Sequence, residues 1–500
     1  MEENKQISFT KNLNKINFSS IISIPIDSNV HIKNILDVNA YVHDQKVECS
    51  NGKAIITGKI SVKVLYLDID NMTNLVCETQ NFSETCLDNS ITNNTYLNIS
   101  NLTVTNTILS SDGILKINCE INLNPILYLN ITIPNTINSN EKLITRKSEV
   151  ATNYISSFVN TNFDFFSNIE TRDNVSKILC FNSYFVPEKI TPENGFATIE
   201  GNILTSILFE NIVENEITLK EIKESTKLKY DVEIGGLSKE DNLDLSISID
   251  KSNDEIKAEI EDGNNIITAK HKICVSGVIL KTANIDIVDD IYSTDNEIEC
   301  SYSKREFSKT MEKFSLTEVI SNEFSLNSDE PAIDEVLANL NITPDITNTY
   351  VKNNNITLEG IICSNLTYID ENKELKHKEV ESPFVIETKI PAESLGCVHN
   401  SISIIDSKVK VKRGTIIEME YTIFINLAFY EKETHEVIDG FTIGKTLDFS
   451  KYDFQIFIGK PNETLWELCK RIKISPDEIH KYNKDLPSVL NGGEKIIIKR

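Results

Sequence analysis

The sequence predicts a mainly β protein, with three tandem β-rich domains of the sandwich type followed by a small α+β module. Three observations support this architecture. A glycine-centred strand pattern occurs three times, an apolar triplet precedes each copy at nearly constant spacing, and the C-terminal residues differ in charge and periodicity from the rest. The predicted domains are 1–140, 141–290, 291–450 and 451–500.

The repeated pattern is a β-branched, partly alternating run with a glycine inside it and an aromatic residue before an acidic turn. The three glycines are Gly58, Gly201 and Gly360, and the apolar triplets precede them by 26, 26 and 27 residues. The triplets are Ile32/Ile35/Leu36, Val175/Ile178/Leu179 and Ile333/Val336/Leu337. A glycine inside a strand costs stability unless a bulge or close contact requires it. Its recurrence therefore predicts one fold used three times.

Each copy continues into a second strand-rich stretch that opens at a glycine. These glycines are Gly113, Gly263 and Gly414. Runs of Ile, Val, Thr and Tyr alternate with clusters of Asn, Asp, Gly and Ser, which is typical of β-hairpins and sandwiches. The joins near 132–170 and 286–330 are interpreted as short helices or extended segments, and residues 304–324 have weak helical spacing.

The charge distribution separates the end of the chain from the body. The 500 residues carry 50 Lys plus Arg against 75 Asp plus Glu, a net charge of −25. Residues 451–500 contain ten Lys plus Arg against seven Asp plus Glu, a net of +3, so residues 1–450 carry −28. An acidic body repels nucleic-acid phosphates and acidic lipid head groups. The charge fits simple solubility, and it also fits assembly among many copies, so both interpretations stay open.

The sequence does not point to export or to catalysis. We find no apolar run of about 18 residues and no signal-peptide pattern, so a cytoplasmic protein is expected. The ten cysteines are scattered without a Cys-x-x-Cys pair and are interpreted as reduced. The seven histidines lie singly, and no phosphate loop, nucleophile elbow or dinucleotide motif occurs. We therefore expect no catalytic residue, no metal and no cofactor.

The last 49 residues predict the order strand, helix, helix, strand. Residues 454–458 form a short strand run, and apolar positions at helical spacing follow, with Asn462 as the expected N-cap. A second helix is expected at Ser475, because a serine and a glutamate surround a proline at the first helical position. Residues 495–499 alternate as a closing strand.

This order and its residues resemble the LysM domain. The matching positions are Gly459, Thr464, Leu465, Trp466, Lys470, Arg471, Ser475, Ile479, Asn483, Leu490, Gly493 and Ile496 to Ile498. The match departs at 460–463, where glycan-binding members have a tight Gly-Asp. That loop borders the family's sugar groove, so the resemblance does not carry N-acetylglucosamine binding over to this chain.

The repeats resemble the SPOCS domain of sporulation proteins. The resemblance rests on the triplets, on the strand ending at Val64 to Asp68, and on Phe82 and Phe384, which each lie 24 residues after their glycine. The second copy departs, with Ser225 at that place. SPOCS repeats before a terminal LysM domain imply a spore coat scaffold in the mother cell, at the forespore surface. The resemblance also implies binding to the SpoIVA-type coat ATPase through the LysM domain.

The candidate partner-binding residues all lie in the predicted LysM domain. They are Gly459, Thr464, Leu465, Trp466, Lys470, Arg471, Lys473, Asn483 and Leu486. Trp466 is interpreted either as a core residue or as an interface anchor, because a lone tryptophan among lysines is common at interfaces. The basic residues are either a solvated face or a surface that steers an acidic partner.

Two further hypotheses about function stay open. One is an exported or surface protein that binds peptidoglycan, and the other is an enzyme. Self-association among copies and binding to other coat proteins are additional expectations, whereas nucleic acid is not an expected partner.

Overall fold

The structure is a computed structural model that describes most of the chain. The described residues are 5–12, 16–25, 32–93, 95–110, 114–133, 143–214, 216–252, 255–261, 264–352, 355–389, 397–448 and 454–499. Strands make up 81% and helices 4%, which confirms the predicted mainly β class. Gly113 and Gly263, expected to open strand-rich stretches, lie outside the described residues.

Strand pairing divides the described chain into four segments. We name them unit 1 (5–133), unit 2 (143–293), unit 3 (296–446) and the tail module (454–499). No ladder between described strands joins one segment to another. The boundary proposed between residues 290 and 291 falls inside the last strand of unit 2. The domain limits themselves stay a prediction.

Unit 1 contains seven described strands. They are β1 (Lys5–Asn12), β2 (Ile16–Pro25), β3 (Ile32–Ser50), β4 (Lys53–Asp68), β5 (Thr73–Leu87), β6 (Thr95–Ser110) and β7 (Ile114–Ile133). One sheet has the order β3-β4-β5, and in the other β1, β2 and β6 all pair with β7. Both sheets are antiparallel, and residues from both fill one apolar core.

Unit 2 repeats this two-sheet layout. Its strands are β8 (Leu143–Thr171), β9 (Val175–Pro192), β10 (Phe196–Val213), β11 (Glu216–Glu233), β12 (Asn242–Ile249), β13 (Glu255–Glu261) and β14 (Asn264–Ser293). The first sheet has the order β9-β10-β11, and in the second β8, β12 and β13 pair with β14. The core again draws on both sheets.

Unit 3 has the same layout with six described strands. They are β15 (Asn296–Ser325), β16 (Ile333–Lys352), β17 (Asn355–Asp370), β18 (Leu375–Lys389), β19 (Cys397–Lys412) and β20 (Ile416–Thr446). The orders are β16-β17-β18 and β15-β20-β19, with one core between the two sheets. The recurrent sequence pattern therefore corresponds to a recurrent arrangement of strands.

The repeated glycines of units 1 and 3 make room for a phenylalanine ring on the neighbouring strand. Gly58 lies opposite Phe82 and Gly360 lies opposite Phe384 in the antiparallel register. A Cβ atom would approach the Phe82 ring to 2.7 Å at Gly58 and the Phe384 ring to 2.3 Å at Gly360. An aromatic ring that covers a strand glycine compensates for the missing side chain. The equal spacing of 24 residues follows from this pairing.

In unit 2 the ring that covers the glycine comes from the other neighbouring strand. Ser225 takes the place of the phenylalanine in the sequence, but the Phe185 ring on β9 covers Gly201. A Cβ atom at Gly201 would lie 2.7 Å from that ring and 2.4 Å from the carbonyl oxygen of Val186. The departure noted in the sequence is therefore a change in which neighbouring strand supplies the ring.

The apolar triplets lead to a cluster where the three units meet, which we call the hub. The hub consists of Leu36, Leu65, Leu67, Leu179, Leu208, Ala338 and Leu340. Units 1 and 2 contribute the leucine of their triplets, whereas unit 3 contributes Ala338 and Leu340, which follow its triplet. Each of these side chains is at most 7% exposed, so the hub excludes water.

Polar side chains from all three units surround a buried carboxylate beside the hub. The side-chain amide of Asn341 in unit 3 donates to both carboxylate oxygens of Asp37 in unit 1, at 2.7 Å each. The Asn365 amide donates to the same carboxylate at 2.9 Å. Asn182 of unit 2 donates to the Asn341 side-chain oxygen at 2.9 Å. Burial raises the pKa of Asp37 to about 6, although these amides favour its charged form.

A second junction also involves all three units. The Tyr128 hydroxyl of unit 1 donates to the Asp244 carboxylate of unit 2 at 2.5 Å. The Lys313 ammonium of unit 3 donates to the carbonyl oxygen of Leu243, the neighbour of Asp244, at 2.7 Å. The two junctions join the units through polar bonds as well as apolar contacts.

Units 2 and 3 each extend beyond their sheets as a two-stranded ribbon. In unit 2, residues 143–153 pair with 282–293, and in unit 3, residues 296–308 pair with 432–446. Eleven residues of strand span roughly 35 Å. The two ribbons pack on each other through Val150, Ile285, Ile287, Phe307 and Val437. The tail module lies against the end of the unit 2 ribbon.

The helical interpretation of residues 304–324 is wrong, because this stretch belongs to β15. It pairs with β20, which satisfies its backbone hydrogen bonds. Phe314, Leu316, Ile320 and Phe324 occupy even-numbered positions and pack against the unit 3 core. A period of two predicts a strand, and the extended alternative holds for β8 in the first join and for β14 and β15 in the second.

Candidate partner-binding module

The tail module has the predicted order strand, helix, helix, strand. Its elements are β21 (Phe454–Ile458), α1 (Leu465–Ile472), α2 (Pro476–Tyr482) and β22 (Lys495–Lys499). β21 and β22 pair in antiparallel register. The helices cover one face of this two-stranded sheet.

Helix α1 begins with a reciprocal capping box. The Thr464 hydroxyl accepts from the backbone N–H of Glu467 at 3.2 Å, and the Glu467 carboxylate accepts from the backbone N–H of Thr464 at 2.8 Å. Thr464 is therefore the N-cap, and the expectation of Asn462 at this position is wrong. Asn462 instead lies in a turn with a φ of 60°. Asn462 has no glutamate three residues later to complete the reciprocal bond.

Helix α2 has the predicted serine as its N-cap, and the residue that follows the helix binds the closing strand. The Ser475 hydroxyl accepts from the backbone N–H of Glu478 at 3.3 Å. The Asn483 side chain makes two hydrogen bonds to the backbone of Ile497 on β22. It donates to the carbonyl oxygen and accepts from the N–H, each at 2.8 Å. Asn483 therefore joins the end of α2 to the sheet.

The loop that departs from the LysM pattern is held in place by an ion pair between a buried carboxylate and a partly exposed guanidinium. The Arg471 guanidinium donates to both Glu463 carboxylate oxygens at 2.7 and 2.8 Å. Arg471 lowers the pKa of Glu463. The backbones of Asn462 and Leu490 are also joined at 2.8 Å. The loop is thus hydrogen-bonded to the segment that ends at Leu490.

The module shares its apolar core with the end of the unit 2 ribbon. The buried core side chains are Tyr292, Leu468, Cys469, Ile472, Ile474, Ile479, Leu490, Ile496 and Ile498. Tyr292 belongs to β14, is fully buried, and donates its hydroxyl to the Ile474 carbonyl at 2.7 Å. The tail and the ribbon are therefore in contact through their cores.

Beside this core, Trp466 and Lys470 both bind Asp290, and we call these three residues the latch. The Trp466 indole N–H donates to one Asp290 carboxylate oxygen at 2.7 Å, and the Lys470 ammonium donates to the other at 2.6 Å. Burial opposes ionisation of Asp290, but the bonds from Lys470 and Trp466 outweigh it and lower its pKa. The carboxylate is thus held in its charged form.

Aromatic and cationic contacts surround the Trp466 ring. Tyr292 meets it edge-on with ring centroids 5.1 Å apart. The Arg146 guanidinium lies 5.6 Å from the ring centroid and forms an ion pair with Asp289 at 2.9 Å. Such contacts are favourable because the ring face carries negative charge density. Trp466 is thus surrounded by residues of unit 2.

Among the described residues, none covers the opposite face of the module in this way. Phe454, Ile456 and Ile458 on β21 are 57%, 56% and 52% exposed, and Ile497 on β22 is 37% exposed. Ile456 pairs with Ile497 across the ladder, so these side chains share one face. Lys495 and Lys499 lie at the two ends of β22.

The structure divides the candidate site residues into two sets. Trp466 and Lys470 face unit 2. Lys473 is the C-cap of α1, with a φ of 57°, and its side chain lies close to Lys470. The others serve the module itself: Gly459, Thr464, Leu465, Arg471, Asn483 and Leu486. Their role in partner binding stays a prediction.

Sequence reasoning missed Asp290, Tyr292 and Arg146 of unit 2, and it missed the open sheet face. No local pattern connects Asp290 with a tryptophan 176 positions later. The open sheet face could have been predicted from the sequence of β21. Residues 454–458 read Phe-Gln-Ile-Phe-Ile, which places apolar residues on both sides of the strand.

Among the described residues, no cluster of three or more His, Cys, Asp or Glu side chains has the arrangement of a metal site. Nine cysteines of the described chain are free thiols, at Cys49, Cys77, Cys86, Cys119, Cys180, Cys274, Cys300, Cys363 and Cys469. The side chain of Cys397 lies outside the described part.

None of the described helices has the length and apolar character needed to cross a membrane.

Comparison with known proteins identifies the first repeat. A family model described as "SipL, SPOCS domain" matches residues 31–122, which cover β3 to β6 and the start of β7. No curated protein and no solved structure matches the chain. The match contains the first triplet, Gly58 and Phe82, so it confirms the SPOCS resemblance for unit 1 on the residues that suggested it. It does not extend to the tail, where the LysM resemblance stays a prediction. Residues 31–122 are thus similar to the SPOCS domain of the SipL family, which is consistent with a SipL-like, sporulation-related protein.

Proposed function

We propose that the protein is a non-enzymatic scaffold of spore coat assembly that acts in the mother cell, at the forespore surface. In this proposal the tail module binds the SpoIVA-type coat ATPase, and the three units provide the body that joins this contact to other coat components. The observation that carries the proposal is the SPOCS match at residues 31–122 in a chain whose end resembles a LysM domain.

The arrangement of the tail supports an adaptor role. The module has its own helices and sheet, and it lies at the end of two extended ribbons rather than between the units. A basic module on an acidic chain attracts an acidic partner and increases the rate of encounter. The SPOCS-domain family is not known as an enzyme family, which agrees with a scaffold.

The test uses the purified full-length chain in two parallel assays. One measures binding to the purified coat ATPase, and the other measures co-sedimentation with insoluble peptidoglycan. We expect ATPase binding without retention on peptidoglycan. Peptidoglycan retention without ATPase binding would favour the wall-binding alternative.

The non-enzymatic part of the proposal has its own test. Purified full-length protein is incubated with glycan and nucleotide substrates, and we expect no turnover. Turnover that a single carboxylate substitution abolishes would contradict the scaffold proposal.

A further inference from the structure

The helical side of the tail module is already occupied by the chain itself. Trp466 and Lys470 bind Asp290, and Tyr292 fills part of the module core. A partner that used this side would have to displace hydrogen bonds of 2.6 and 2.7 Å. The latch therefore competes with any partner for Trp466.

The open sheet face has the composition of a docking surface. Contiguous exposed apolar side chains are uncommon on monomeric proteins and mark interaction sites. Here Phe454, Ile456, Ile458 and Ile497 form one apolar face, while Phe457 and Ile496 on the other face pack into the core. A short strand with apolar residues on both sides is typical of a strand that is covered on both sides.

Two lysines define the charge of the expected partner. Lys495 pairs with Ile458 and Lys499 pairs with Phe454 across the ladder, so one cation lies near each end of the apolar face. Within the described part of the chain, neither ammonium group has an ion-pair partner. An apolar surface bordered by acidic side chains complements this arrangement. A second copy meeting sheet to sheet would bring these like charges together, which is unfavourable.

We propose that the face formed by Phe454, Ile456, Ile458 and Ile497, with Lys495 and Lys499 at its ends, is the surface that binds the coat ATPase. The proposal rests on the proposed function and specifies its contact. The ATPase contributes an apolar segment with acidic neighbours, which covers the sheet while the latch stays closed. Trp466 then serves to orient the module on the ribbon.

The test compares four single variants of the full-length chain for affinity to the purified coat ATPase. Ile456→Ser alters the centre of the sheet face, Asp290→Asn weakens the latch, and Val385→Ser changes an exposed apolar residue on β18 as a matched control. Because Trp466 is the only tryptophan, its fluorescence reports on the fold and docking of the module in every variant.

We expect Ile456→Ser to weaken binding at least about tenfold with unchanged Trp466 emission, since buried interface side chains dominate affinity. Asp290→Asn should shift the emission to longer wavelength but change affinity by less than about twofold, and Val385→Ser should change neither. A Lys495→Glu variant should weaken binding and reduce its salt dependence.

Three results would overturn the proposal in different ways. If the parent binds and Ile456→Ser binds equally well, the sheet face is not the docking surface, and the proposed function stands. If the parent chain does not bind the ATPase, the proposed function fails and the docking surface fails with it. Tighter binding by Asp290→Asn would show that the partner uses the Trp466 side and competes with the latch.

Discussion

The hub and the latch both join distant parts of one chain, but water reaches them very differently. The hub side chains are at most 7% exposed, and the Asp37 carboxylate beside them is 3% exposed. In the latch, the Lys470 side chain is 38% exposed and the Asp290 side chain 12%. Ion pairs that water reaches contribute little, whereas buried polar groups contribute strongly in either direction. The units should therefore behave as one body, and the tail should detach first.

The largest expected effect is a cavity in the hub. Leu36→Ala removes a fully buried side chain at the contact of three units, and we expect it to lower the free energy of unfolding by about 2–5 kcal/mol. Leu87→Ala is the matched control, because Leu87 belongs to the same unit and is 77% exposed. The measurement is equilibrium denaturation of both variants. Equal midpoints would show that the hub does not stabilise the body.

The repeated glycines provide the next effect. Gly360→Ala would place a Cβ atom 2.3 Å from both the Asp345 carbonyl oxygen and the Phe384 ring. Because backbone and ring must both shift, we expect destabilisation of about 1–3 kcal/mol. Gly235→Ala is the control, since a Cβ atom there meets nothing within 4 Å. A Gly360→Ala chain as stable as the Gly235→Ala chain would refute the close-contact explanation of the repeat.

Local and periodic features could be predicted from the sequence. The glycines, the triplets and the order of the tail elements each depend on residues close together, and the family model matches residues 31–122, a range that contains the first triplet and Gly58. The N-cap of α1 was misplaced because Asn462 and Thr464 are both good cap residues, and only the Thr464–Glu467 pair forms the reciprocal bond. Propensity does not distinguish two caps two residues apart.

The contacts between units could not be predicted from a single sequence. Asp37 meets Asn341 across 304 positions, and Asp290 meets Trp466 across 176. Nothing local distinguishes these carboxylates from the many that face solvent. The sequence did predict Trp466 as a contact residue, either in a core or at an interface. The structure shows a contact with the same chain, and it leaves partner binding by Trp466 as a prediction.

The third effect concerns the pH dependence of stability. Two groups beside the hub should change the free energy of unfolding in opposite directions as the pH falls. Burial raises the pKa of Asp37 from 3.8 to about 6 and lowers the pKa of His377 from 6.5 to about 4. His377 lies on β18 opposite Thr367, whose hydroxyl donates to the Leu36 carbonyl, so both groups belong to the contact between units 1 and 3. Between pH 4 and 6 the folded chain binds more protons at Asp37 than the unfolded chain does, so acid stabilises through Asp37. Between pH 4 and 6.5 the unfolded chain binds more protons at His377, so acid destabilises through His377.

Single substitutions should separate these two contributions. Relative to the parent, Asp37→Asn should lose stability as the pH falls from 6 to 4, because His377 then acts alone. His377→Gln should gain stability over the same interval. Each difference should change by about 1 kcal/mol per pH unit. The measurement is denaturation of both variants and the parent at several pH values. Parallel curves for all three would show that neither group titrates as the buried geometry implies.

The smallest expected effect concerns the edge of the latch. Arg146→Ala removes a cation from the Trp466 ring and breaks an ion pair in which Arg146 is 46% exposed. We expect a loss of less than about 1 kcal/mol together with a longer emission wavelength, because water gains access to the indole ring. Arg305→Ala is the matched control, since Arg305 pairs with Asp439 on the other ribbon and is 33% exposed. It should cost a similar amount of stability without changing the emission. If Arg146→Ala leaves the emission unchanged, the Arg146 contact does not shield Trp466, and the comparison between a sealed hub and a water-accessible latch then rests on Asp290 alone.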